Sequence, residues 1–368
     1  MDDWIKMKIG LGEEAALTRQ ELENYQLKMI VETLSMAKEN SAFYRERLKE
    51  IDPASVKSFN DLQKIPFTEV EDLRESGREM LCVRDSEISR IVTLETSGTT
   101  ADPRRVYYTE ADQELTIDFF HYGMRNLVDP TDVVLILLPC KRPGSVGDLL
   151  NIGLHRLGAK TVAYGMLKPD GSDIPDLLIR TDMKKVTCIV GSPTQVAELS
   201  KTSVALAAQK EWQDLHGRIE QRMRSVLLST EYVPDAACEL IRWVWDCKVF
   251  EHYGMTEMGL GGAVSCWTLE GYHPREADLY FEIIDPETGQ VVPDGELGEV
   301  VFTTLTRKGM PFIRYRTGDR SRWITEPCEC GSVLRRLDKV GERKEEKGAY
   351  ERNRHSQFDQ KVKTVPEP

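Results

Sequence analysis

No apolar run in this 368-residue chain is long enough to cross a membrane. The longest, Val133-Val134-Leu135-Ile136-Leu137-Leu138, has the length of a buried strand. Met1 to Glu14 lack a basic stretch followed by an apolar one, so no secretory signal is legible and a cytoplasmic setting without membrane partners is expected. Positive charge is scarce too. The net charge of −12 argues against nucleic acid or anionic membrane as a partner, although a site for a small anion needs only local positive charge. No internal repeat stands out, so an array of stacked repeats is not expected.

What is present is ordinary for a globular protein: 40% hydrophobic and 30% charged residues, in a chain long enough for more than one lobe. In a cytosolic setting the eight cysteines argue for thiols rather than disulfides. Five of them, Cys82, Cys140, Cys188, Cys238 and Cys247, sit in apolar or mixed surroundings that suit packing. Residues 19–50 read as one long helix, with Leu22, Leu27, Ile30, Val31, Leu34 and Ala37 at helical spacing. From about residue 90, short apolar runs alternate with amphipathic stretches. Ile91–Leu94, Val133–Leu138, Thr161–Tyr164, Thr187–Val190 and Val226–Leu228 read as strands, and Ile152–Leu157 and Thr194–Gln209 as helices. That alternation predicts an α/β sheet of mostly parallel strands. After residue 278 the texture changes to hairpins, with Leu279–Ile284 and Gly298–Phe302 around a Pro-Glu-Thr-Gly turn, which predicts a smaller antiparallel β lobe. The final thirty or so residues are highly charged and poor in apolar side chains, and disorder is expected for part of them.

Three short segments carry chemistry. Thr96-Ser97-Gly98-Thr99-Thr100, with Arg104 and Arg105 behind it, offers hydroxyl, glycine and arginine groups that can wrap phosphate oxygens; it lacks the Gly-Lys-Ser/Thr ending of a P-loop. Tyr253-Gly254-Met255-Thr256-Glu257 sets an aromatic ring for a purine near Thr256 for a phosphate oxygen and Glu257 for Mg²⁺, a hard cation that takes oxygen ligands. Thr317-Gly318-Asp319, expected at a strand end, places a carboxylate for a ribose. Taken singly, each is also an ordinary polar loop or turn. Their order together points to a nucleotide site. Cys266, His273, Cys328 and Cys330 make a full tetrahedral set for a structural Zn²⁺, the alternative being three free thiols and a surface histidine. His121, in Phe119-Phe120-His121-Tyr122-Gly123, can line an acid pocket or simply pack.

With these motifs in hand, the chain resembles the adenylate-forming acyl-CoA ligases, and within them the phenylacetate-CoA ligase-like branch. Ser41–Arg45, Ile65–Thr68, Ile284–Gly289 and Pro311–Asp319 extend the resemblance over roughly residues 20–345. It implies an acyl-CoA synthetase-like N-terminal domain: a helical segment at 1–85, an α/β nucleotide- and acid-binding core at 86–265, and a β lobe with the zinc ligands at 266–337. It also implies Ser97, Gly98, Thr99 and Thr100 on phosphate, and Ser229, Thr230, Glu231, His252, Tyr253 and Gly254 around the nucleotide. Asp319 and either Arg336 or Arg343 fall near the ribose, and Arg104, Thr256 and Glu257 at the chemistry. ATP, Mg²⁺ and CoA follow as cofactors or co-substrates, with a small, aryl or similar carboxylic acid as substrate.

Two departures stand against this. Ala101 replaces a glycine of the phosphate loop, where a Cβ obstructs close approach. Residues 338–368 read as a hinge remnant and charged tail where the family carries a C-terminal lid domain, so the expectation is either a separate lid protein as partner or a truncated sequence. Readings other than a finished ligase therefore stay open: a catalytically impaired nucleotide- or acyl-adenylate-binding protein, or a donor that passes its acyl group to an acceptor other than CoA. A homodimer is the default oligomer.

Overall fold

The computed structural model describes residues 1–12, 15–94, 103–180 and 182–341. The chain divides into two units, each built from separate stretches. One comprises residues 1–116, 254–263 and 271–341; the other, among the described residues, comprises 117–253 and 264–270.

The second unit holds the parallel sheet that the alternating pattern predicts. Its strands run side by side in the order Lys160–Ala163, Val133–Leu137, Cys188–Gly191, Ser225–Leu228, Lys248–Tyr253, each pair parallel. Cys188–Gly191 and Ser225–Leu228 are buried at every residue, as strands covered on both faces must be. Helices supply that cover: Val146–Leu157, Pro193–Ala207 and Asp235–Trp245. The boundaries follow local chemistry. Ser192 caps the second helix by accepting from the Gln195 amide at 3.3 Å, ahead of Pro193 in the first turn. Gly158 ends the first helix at φ +97°, a left-handed cap that a side chain resists. Trp245 is fully buried and places its indole N–H on Ser200 Oγ at 2.8 Å, so the helices meet without an orphaned donor. The chain winds to one side of Val133–Leu137 and then returns to the other, so the sheet reverses its winding between that strand and Cys188–Gly191. In open α/β sheets such a reversal opens a crevice at the carboxyl ends of the strands.

The first unit carries the antiparallel lobe, Leu279–Ile284, Gly298–Thr304 and Tyr315–Ser321 in that order. Two expectations change here. The predicted helix over 19–50 is two: Arg19–Asn40, opened by a Thr18–Glu21 capping box, and Ala42–Arg47. Ser41 lies between them in extended conformation, its hydroxyl accepting from the Tyr44 amide and donating to the Glu79 carbonyl at 2.7 Å. Hydrophobic spacing alone does not see a cap inserted into a continuing periodicity. Ile88–Leu94 is indeed a strand, but it pairs antiparallel with Arg104–Thr109 in a sheet of its own, because residues 95–103 are too few for a crossover. Arg314 ties the lobe to the N-terminal segment. Its guanidinium meets Glu282 at 3.0 Å through Nε and Nη2, donates through Nη1 to the Gln63 and Ile65 carbonyls at 2.8 Å, and lies over the Phe67 ring. No helix among the described residues is long and apolar enough to cross a membrane.

Candidate functional site

In the first unit, the Glu257 carboxylate is almost fully buried, at 2% exposure, and two groups reach it: Tyr315 Oη donates to Oε1 at 3.2 Å, and Arg104 Nη1 lies 3.6 Å from the same oxygen. A buried carboxylate needs such compensation to stay ionised. Its peptide is held as firmly as its side chain. Arg307, itself buried, donates through Nη1 to the Glu257 carbonyl at 2.9 Å and through Nη2 to the Tyr107 carbonyl at 2.8 Å. Its guanidinium lies over the Tyr108 ring, 4.4 Å from the centroid, while the Tyr108 hydroxyl donates to the Thr256 carbonyl. A second buried arginine, Arg275, donates to the Met258 carbonyl, and Thr116 Oγ1 donates to that of Gly259 at 2.8 Å. The four consecutive carbonyls from Thr256 to Gly259 are thus gripped from outside the loop. Gly254 has a steric reason to be glycine. A Cβ there would lie 2.8 Å from Gly261 Cα and 2.9 Å from the Leu260 carbonyl oxygen, both backbone atoms.

Asp319 stands inside the strand Tyr315–Ser321, not at its end. Gly318, at φ +74°, makes a bulge opposite Glu299–Val301, and Asp319 is half-buried within it, its amide donating to Thr317 Oγ1 at 3.0 Å. Arg336 is buried in the short pair Arg336–Leu337 with Trp323–Ile324 and donates to the Glu326 carbonyl at 2.8 Å. It therefore belongs to the hairpin that carries Cys328 and Cys330. There, His273, Cys328 and Cys330 bring their donor atoms within 4.8 Å of one another, Cys330 Sγ lying 3.4 Å from His273 Nε2. Tetrahedral zinc with ligands at about 2.0–2.3 Å has edges of comparable length, and two soft thiolates with an imidazole are its characteristic donors. Burial pushes His273 down to about 4, which keeps the imidazole neutral, the form that ligates. Cys266 lies seven residues before His273, in the stretch 264–270 that is grouped with the other unit.

The second unit brings together a different set. Ser229 follows the strand Ser225–Leu228, and its Oγ lies 2.8 Å from Nδ1 of His252 on the neighbouring strand Lys248–Tyr253. Both face a cavity at the carboxyl ends of the parallel strands, with Phe119, Phe120, Met124, Leu138, Val190 and Leu227 among its apolar walls. Thr230, next in the chain, is exposed and holds φ +73°, a left-handed conformation that a β-branched residue adopts only under constraint. Glu231 accepts from Thr194 Oγ1 at 2.7 Å, and the Tyr253 ring is largely buried at its strand end. His121 turns from the cavity: its Nδ1 is 3.3 Å from the Gly153 carbonyl and its Nε2 2.9 Å from Arg125. Ser97, Gly98, Thr99, Thr100, Ala101 and Arg343 lie outside the described residues. Sequence reasoning missed Tyr108, Arg275 and Arg307, since an arginine serving carbonyls leaves no carboxylate partner or motif to betray it.

The AMP-binding enzyme family matches residues 20–305. Phenylacetate-coenzyme A ligase of Pseudomonas putida is 29% identical over 328 residues, spanning 87% of this chain and 70% of that protein. Its counterpart in Escherichia coli (strain K12) is 27% identical over 343 residues, 89% of this chain and 72% of that one. Among solved structures, an open conformation of 2-hydroxyisobutyryl-CoA ligase with 2-HIB-AMP and CoA superposes with a TM-score of 0.78 at 24% identity, covering 90% of this chain and 71% of that one. At that identity the likeness establishes the fold.

Proposed function

Because the chain belongs to the AMP-binding enzyme family, we propose that it activates a small carboxylic acid, of the aryl or phenylacetate kind, with ATP. The acid's carboxylate oxygen attacks the α-phosphorus, pyrophosphate leaves with the electrons of the broken P–O bond, and an acyl-adenylate remains. A CoA thiol then attacks the acyl carbon, and AMP departs. The first step needs positioning and charge stabilisation more than a proton-transferring base. The observation that carries the reading is the convergence of Arg104 and Tyr315 on buried Glu257. Glu257 is the residue that would hold Mg²⁺, which when bound neutralises charge on the phosphate oxygens. Arg104 balances the carboxylate in the absence of nucleotide and supplies positive charge to the phosphates in its presence. Ser97, Gly98, Thr99 and Thr100 donate to phosphate oxygens, and Asp319 accepts from the ribose. The cavity behind Ser229 and His252 takes the acid's apolar body. Exchange of labelled pyrophosphate into ATP, dependent on an added acid and Mg²⁺, tests the proposal. Nucleotide binding without exchange for every acid tried would leave a binding protein in its place.

Zinc has a separate, structural role, held by Cys266, His273, Cys328 and Cys330. The approach of the His273, Cys328 and Cys330 donor atoms to within 4.8 Å of one another supports three of these ligands, and Cys266 is the nearest cysteine in sequence to complete the set. Protein purified without chelator should carry about one zinc per chain. Cys328→Ser should lose it and melt at lower temperature, with nucleotide affinity changed far less. Metal-free protein of undiminished stability would contradict the assignment.

A further inference from the structure

The cavity at the carboxyl ends of the parallel strands has one unusual feature, a hydrogen-bonded polar couple set into an otherwise apolar wall. Ser229 and His252 are the polar members of its lining, 2.8 Å apart through Oγ and Nδ1, with Phe119 and Phe120 flanking the imidazole at 5.9 and 6.3 Å between ring centroids. An apolar pocket for an unsubstituted hydrocarbon would gain nothing from these groups, and their desolvation carries a cost. From this juxtaposition, and resting on the reading of the cavity as the acid site, we infer that the Ser229–His252 couple reads a hydroxyl or primary amine on the body of the acid, so that the preferred substrate is a hydroxy- or amino-substituted acid rather than the bare hydrocarbon one.

The chemistry of the couple suits that role. The serine hydroxyl has one proton and two lone pairs. When it donates to Nδ1, its lone pairs face the ligand and accept an O–H or N–H. When the imidazole carries its proton on Nδ1 and donates to Oγ, the serine proton is released to donate to the ligand's oxygen or nitrogen. One tautomer shift therefore converts acceptor to donor, and a hydroxyl or amine, able to play both parts, satisfies either state. The bare acid satisfies neither. A site built to hydrogen-bond a substituent penalises the analogue that lacks it more strongly than a hydrophobic pocket penalises a missing methylene.

The test compares matched acids: phenylacetate and benzoate, each against ring- and side-chain-hydroxylated and amino forms, with kcat/KM measured for the acid and KM for ATP. At least one substituted acid should exceed its parent by about tenfold or more, the effect of leaving one buried polar group unpaired. Ser229→Ala should bring that ratio to within about threefold of unity, and His252→Phe should lower it in the same direction. If Ser229→Ala leaves the ratio unchanged and instead raises KM for ATP, Ser229 serves the nucleotide and the inference is overturned. Exchange confined to unsubstituted acids overturns it too, while leaving adenylation standing. Absence of exchange with every acid removes both.

Discussion

At the scale of single residues, His121 shows how geometry fixes a protonation state. Arg125 can only donate, so Nε2, 2.9 Å from its Nη2, must accept. The remaining proton therefore sits on Nδ1 and faces the Gly153 carbonyl at 3.3 Å. Burial, with the Arg125 charge adding to it, holds this histidine below its ordinary value, so folding disfavours its protonated form. Unfolded, it takes up a proton below about pH 6.5. The unfolded state thus binds more protons as pH falls through that value, and folding stability declines with it. His121→Gln should flatten the fall in melting temperature between about pH 7.5 and 5, leaving the part due to His216 and His273, which burial also holds low. An unaltered slope in the variant would show that His121 does not titrate on unfolding. Thr230 is the opposite case, a residue whose backbone conformation costs on the order of 1–3 kcal/mol and persists because its surroundings impose it. Nothing in the residue types around Thr230 announces that strain.

At the scale of elements, the loop after Gly254 is held by side chains that come from far along the chain. Arg307 is the centre of that clamp, binding the carbonyls of Glu257 and Tyr107 and stacking on Tyr108. Arg307→Met should slow acid-dependent exchange by about 10- to 100-fold, the scale of losing hydrogen bonds to a charged donor, with ATP affinity affected less. Arg307→Lys should recover part of the loss. Undiminished exchange in a folded Arg307→Met protein would assign the arginine to stability alone. The parallel strands and the hairpin of Leu279–Ile284 with Gly298–Thr304 were legible in the sequence, whereas the strand Arg104–Thr109 was not. Apolar runs of three to six residues marked the parallel strands. The turn after Leu279–Ile284 declared itself through Asp285, which accepts from the Thr288 amide at 2.7 Å, and Gly289, at φ +70°. Illegible were contacts that no local pattern encodes: Ser41 dividing a helix whose hydrophobic spacing runs on, Ile88–Leu94 leaving the parallel sheet, and arginines serving carbonyls two hundred residues away in one case.

At the scale of the molecule, the net charge of −12 coexists with local cations where anions are to be met, Arg104 beside Glu257 above all. The family is set by the order of motifs along the chain, and each unit assembles its own half of them: Arg104, Thr256, Glu257 and Asp319 in one, Ser229, His252 and Tyr253 in the other. We propose buried Glu257 and its partners as the centre of adenylation. The most direct test is pyrophosphate–ATP exchange with an acid panel, Mg²⁺ and either native protein or Glu257→Gln, a change that keeps the side chain's size and removes its charge. Exchange that requires an acid, and falls by at least about a hundredfold in Glu257→Gln as expected for loss of electrostatic stabilisation in phosphoryl transfer, is the result predicted. Equal exchange by both proteins, or none from the native protein while it binds ATP, would contradict it.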